Sequence, residues 1–103
     1  MLFRSRFETL SQQVVPILKP YMRRISVFGS YVRGEETPES DVDILVQLRP
    51  ADQRPRLGLK FFGLQDELTK LIGREVDLVT EEGLSPYIRP YIEKEKVVLY
   101  EEG

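Results

Sequence analysis

Three short β-branched runs constrain this chain most: RISVFG (24–29), DVDILVQL (41–48) and EVDLVT (75–80). Each is short and ends in turn-forming or charged residues, so each reads as a strand. KVVLY (96–100) reads as a closing strand. The segments between them carry apolar residues at three- and four-residue intervals, which is helical spacing. The predicted order is helix, strand, short helix, strand, helix, strand, helix, strand. In 103 residues that alternation implies one small α/β (α+β) domain spanning 1–103, a mixed sheet with helices packed on it. Nothing in the pattern sets the strand order.

The helical segments are specific enough to be checked. Phe7, Leu10, Val14, Ile17, Leu18 and Tyr21 form one apolar face of a helix ending near Pro20. Leu57, Phe61, Leu64, Leu68, Leu71 and Ile72 form another, stopped by Gly73. Gly58 and Gly63 each weaken that helix by about 1 kcal/mol relative to alanine, and small residues there would permit a close-packed neighbour. SPYIRPYIEKE (85–95) reads as a short helix broken at Pro90, because an interior proline removes a hydrogen bond.

Residue types that are absent narrow the chemistry. The chain has no Cys and no His, which excludes disulfides, thiolate chemistry, an imidazole base and the commonest zinc ligands. Carboxylates remain as metal ligands, and an oxygen-only site favours hard ions such as magnesium. A net charge of −2 argues against direct nucleic-acid binding through many phosphates. Arg23, Arg24 and Arg33, and then Arg49, Arg54, Arg56 and Lys60, therefore read as a solvated face. No apolar run reaches the roughly 20 residues needed to span a bilayer, and MLFRSRFETLSQQ does not resemble a leader peptide. A cytoplasmic protein is expected.

Against that background the carboxylates of DVD stand out. Residues i and i+2 of a strand share a face, so Asp41 and Asp43 project together while Val42 and Ile44 go to the other side. Two carboxylates so close raise each other's pKa unless a cation lies between them. EVDLV repeats the motif with Asp77 alone. If its strand lies beside the first, Asp77 joins the same cluster; otherwise each aspartate is a turn or surface residue. Gly29 and Ser30 stand where a strand meets a short helix, a junction that can bind phosphate or simply turn the chain. Arg33, on the same turn, could contact phosphate or hold the loop through a carboxylate. The second role suits it slightly better.

Taken together, Gly29-Ser30, ten intervening residues, Asp41-Val42-Asp43 and a later strand Asp77 resemble the nucleotidyltransferase superfamily that includes DNA polymerase β. GSYVRGEETPESDVDILV is most similar to the minimal nucleotidyltransferases of antitoxin type, with Val32 where Ala is usual before Arg33-Gly34. The resemblance covers nearly the whole chain. It implies that Asp41 and Asp43 ligate two magnesium ions and that Asp77 binds one of them and helps deprotonate the attacking hydroxyl. It also implies that Gly29 and Ser30, with Arg33 nearby, hold the β- and γ-phosphates of a nucleoside triphosphate, ATP being the expected donor.

The chain is too short for the acceptor-binding domains of larger members, which points to an acceptor on another protein. The resemblance implies a HEPN-domain toxin whose tyrosine receives AMP. Two alternatives stay open: a non-catalytic module that masks the HEPN partner, and a small-molecule nucleotidyltransferase akin to the aminoglycoside-modifying relatives. Tyr87, Tyr91 and Tyr100 could belong to a partner interface or to half-buried packing.

Overall fold

Among the described residues, the alternation of helical and strand patterns is realised as four α-helices and four strands. The computed structural model describes residues 6–35 and 37–102. Met1–Ser5, Glu36 and Gly103 lie outside the described residues, and with them the start of the N-terminal stretch compared above with a leader peptide. In chain order the elements are α1 (Arg6–Leu18), β1 (Met22–Phe28), α2 (Ser30–Arg33), β2 (Val42–Leu48), α3 (Lys60–Ile72), β3 (Val76–Thr80), α4 (Arg89–Glu95) and β4 (Val97–Glu101). Single 3₁₀ turns occur at Ala51–Gln53 and Glu81–Gly83.

The sheet is mixed, in the order β3-β2-β1-β4. β1 runs antiparallel to both β2 and β4, whereas β2 and β3 are parallel and joined through α3. Strand alternation then divides the core. Val42, Ile44 and Val46 of β2 join Ile25 and Val27 of β1 and Val76 and Leu78 of β3 in a main cluster with Leu10, Val14 and Leu18 of α1 and Leu64 and Leu68 of α3. On the opposite face Leu45 packs with Leu84 and Ile92, flanked by Phe28 and Val79. This smaller core seats α4, and it shares its side of the sheet with Asp43.

β3 is an edge strand, and its outer backbone is not left bare. The Val76 N–H donates to Thr69 Oγ1 at 2.9 Å and the Leu78 N–H donates to Gln65 Oε1 at 2.9 Å. Both acceptors sit on α3, so the crossover helix occupies donors that could otherwise recruit a further strand.

Several boundaries differ from the sequence expectation. α1 stops at Leu18, and Tyr21 belongs to the following turn although it is still buried. α3 begins at Lys60 because Gly58, at φ +46°, turns the chain before it; Leu57 reaches the core from that turn. Gly63 permits no close packing, since nothing lies within 4 Å of where its Cβ would be. Leu71 is 49% exposed and lies off the apolar face. Pro90 does not break a helix: it sits in the first turn of α4, where its missing N–H costs no bond. Gly73 caps α3 as expected, in the left-handed region, with its N–H donated to the Thr69 carbonyl. Tyr87 and Tyr91 are exposed and Tyr100 is half-buried.

Candidate active site

The site forms where β1, β2 and β3 present one end of the sheet. Asp41 is exposed just before β2, and Asp43, its second residue, is half-buried. In the parallel ladder Asp43 stands opposite Asp77, and in the antiparallel ladder it stands opposite Phe28. Neighbouring strands lie about 4.8 Å apart, so Asp43 and Asp77 are direct neighbours on one face. The condition attached to Asp77 from sequence, a strand beside that of Asp41 and Asp43, is met.

Gly29 follows Phe28 and closes the other flank. It has φ 78° and ψ −152°, a conformation that side chains disfavour. A Cβ built there would lie 2.3 Å from Asp43 Oδ2. No larger residue fits while that carboxylate keeps its place. Past Gly29 the chain turns into α2, with the Val32 and Arg33 N–H groups donating to the Gly29 carbonyl at 3.0 and 3.2 Å. Ser30, half-buried, opens this helix.

Electrostatics mark Asp43 as the strained member of the group. Burial pushes its carboxyl up to about 6, and the charges of Asp77, Asp41 and Glu95 push the same way, while Arg33 opposes them. Burial and like charge thus act together to make a cation welcome. The donor set suits magnesium, which is commonly held by one or two carboxylates plus phosphate oxygens and water. Among the described residues no three acidic side chains converge as a ready cage. Asp43 and Asp77 are adjacent and on one face, with Asp41 just before β2, and the rest of a coordination shell would come from substrate and solvent.

Arg33 has the loop-holding arrangement. Its Nε donates to Glu35 Oε1 at 2.8 Å and its Nη1 donates to both oxygens of Glu95, at 3.1 and 3.0 Å. These carboxylates raise its pKa, Glu35 contributing most. Glu95 was not singled out from sequence. Its Oε1 also accepts the Gly29 N–H at 2.8 Å. An acidic residue in the last turn of a helix opposes the helix dipole, but Glu93 shares that turn, so the sequence does not single out Glu95.

Among the described residues, the basic residues grouped in the sequence differ in their surroundings. Arg24 is part-buried and bidentate to Glu81, at 2.8 and 2.6 Å, with a further bond to Glu101. Arg49 pairs with Glu102 through both terminal nitrogens. Arg23, Arg56 and Lys60 are exposed. No helix among the described residues is long and apolar enough to cross a membrane.

Comparison with known proteins bears on the family and the fold. The family model described as "Nucleotidyltransferase domain" matches residues 11–99. The protein adenylyltransferase MntA of Thermococcus cleftensis is 46% identical over 76 residues, covering 74% of this chain and 73% of that protein. A solved toxin–antitoxin structure with AMP-PNP superposes with a TM-score of 0.69 at 23% identity, over 88% of this chain and 73% of that one. A tri-AMPylated HEPN toxin of Shewanella oneidensis in complex with an MNT antitoxin gives 0.68 at 19% identity, over 92% and 72%. At those identities the two structures bear on the fold alone.

Proposed function

We propose that this chain, which belongs to the nucleotidyltransferase domain family, is an antitoxin that transfers AMP from ATP to a tyrosine of a HEPN-domain toxin. One observation carries the reading: Asp43 is flanked by Asp77 on the parallel neighbour strand and by Gly29, whose missing side chain makes room for the carboxylate. The relative's name supplies transfer to a protein, since it is a protein adenylyltransferase, and the HEPN acceptor is taken from the likeness in fold to an MNT antitoxin in complex with a tri-AMPylated HEPN toxin. In this reading residues 1–103 form one transferase domain of a cytoplasmic hetero-oligomer.

Each side chain then has a defined part. Ser30 would donate its hydroxyl to the β- and γ-phosphate oxygens, with Arg33 alongside as the cation and Gly29 letting the phosphates approach the backbone closely. Asp41 and Asp43 would hold two magnesium ions, with Asp77 on one of them. When bound, magnesium supplies charge neutralisation for the triphosphate and the leaving pyrophosphate. The tyrosine hydroxyl oxygen forms a bond to the α-phosphorus and the bond from that phosphorus to the bridging oxygen breaks. The phenolic proton passes to the Asp77 carboxylate and pyrophosphate departs with the electron pair.

The test is transfer of label from α-labelled ATP, with magnesium, to a HEPN-domain protein. Label should appear on a partner tyrosine, and Asp43→Asn should slow it by at least about 100-fold. Full labelling by that variant would sink the assignment.

A further inference from the structure

Glu95 joins three pieces of chain at the phosphate corner. It lies at the end of α4, where an acidic residue works against the helix dipole. The helix dipole therefore does not explain its place. Its Oε1 accepts the Gly29 N–H at 2.8 Å, and both its oxygens accept from Arg33 Nη1. The Gly29 turn and Arg33 are the parts assigned above to the triphosphate. Ile92, one turn earlier, is buried against Leu45 and Leu84 in the smaller core, so α4 gives the carboxylate a firm base.

Two consequences follow from the contacts. The Gly29 N–H is already taken, so Gly29 contributes room rather than a donor, and the Ser30 hydroxyl is left to meet phosphate. Arg33, whose side chain is 47% exposed, would otherwise sample many rotamers. Glu95 and Glu35 hold its guanidinium from two sides, with bonds at Nε and Nη1.

We infer that Glu95 is a positioning residue for nucleotide binding: its carboxylate sets the Gly29 turn and the Arg33 guanidinium in the arrangement that receives the β- and γ-phosphates. The inference rests on the nucleotidyl-transfer reading and deepens it. Glu95 touches no reacting atom, and its effect should be confined to ligands that carry those phosphates.

The experiment measures Kd for AMP-PNP and for AMP, each with magnesium, on the intact chain, with the melting temperature recorded for every variant. Glu95→Ala should weaken AMP-PNP about tenfold or more, the worth of a charge-assisted hydrogen bond, and leave AMP unchanged. Glu95→Gln keeps an acceptor for the Gly29 N–H without the charge and should fall between Glu95→Ala and the parent. It also carries the test if the alanine variant does not fold. Equal weakening of AMP and AMP-PNP would mark Glu95 as merely structural and overturn the inference. Unchanged or tighter AMP-PNP binding would overturn it too, since the carboxylate would then be idle or competing with phosphate. If the parent chain binds neither ligand, the nucleotidyl-transfer reading falls and this inference falls with it. Normal parent binding with an indifferent Glu95→Ala removes the inference alone.

Discussion

Gly29 and Asp43 compete for one space: a Cβ on Gly29 would stand 2.3 Å from Asp43 Oδ2. The glycine of the Gly-Ser pair and the second aspartate of the Asp-x-Asp pair are thus a fitted couple across β1 and β2. Gly29→Ala should destabilise the protein by about 1–3 kcal/mol, from backbone strain at φ 78° together with the collision. In Gly29→Ala/Asp43→Gly the collision is gone and only the strain remains. Urea denaturation of the four members of that cycle should show a favourable coupling; simple additivity would mean the two residues do not compete for space.

Metal-free stability should depend on pH through Asp43. Burial, with the charges of Asp77 and Asp41, pushes its carboxyl up from the ordinary 3.8 to about 6 in the folded protein. Between those values the folded state holds a proton that the unfolded chain has lost, so this group's contribution falls as pH rises through that interval. Without divalent metal the melting temperature should therefore be higher at about pH 5.5 than at about pH 7. Asp43→Asn should raise it at the higher pH and flatten the difference. A parent profile that Asp43→Asn leaves intact would assign the dependence elsewhere.

The Arg24–Glu81 pair fastens the 3₁₀ turn before α4 to β1. Glu81 is buried, and its carbonyl also accepts from Arg89 at 2.8 Å. Glu81→Ala leaves Arg24 without its main partner and should cost about 1–3 kcal/mol. Because the hydrogen bonds from Arg24 lower the Glu81 pKa, the pair's contribution is present above the unfolded value and lost as pH falls through the folded one. The gap between parent and Glu81→Ala, measured by urea denaturation, should close in acid and stay open at neutral pH.

Thr69 holds the edge strand that carries Asp77. Thr69→Val keeps the shape of the side chain but leaves the Val76 N–H without its acceptor, which should cost about 1–3 kcal/mol. Hydrogen exchange at Val76 should speed up while the amides of β1 change little. Unaltered protection at Val76 would show that Thr69 is not its partner in solution.

Much of the fold was legible because burial imposes periodicity. The strands at RISVFG, DVDILVQL, EVDLVT and KVVLY all formed, and Gly73 stopped α3 where a left-handed cap was expected. The errors at helix ends share one cause. A period of three or four does not show where a helix starts or stops, so Leu57 and Tyr21 kept their apolar rhythm from turns outside α3 and α1. Pro90 was misplaced because the same residue breaks a helix inside and suits it at the first turn.

The same division runs through the site. By itself the sequence limited the chemistry: without Cys or His, only oxygen ligands remain, and strand alternation predicts that Asp41 and Asp43 share a side, although Asp41 lies just before β2. Only the tertiary structure decided which strand stands beside them. The parallel β2–β3 ladder brings Asp77 opposite Asp43, and β1 brings Gly29 against the same carboxylate. Glu95 lies 66 residues from Gly29 along the chain. No local pattern encodes that contact, because it arises when packing of Ile92 and Leu84 on Leu45 lays α4 across the sheet.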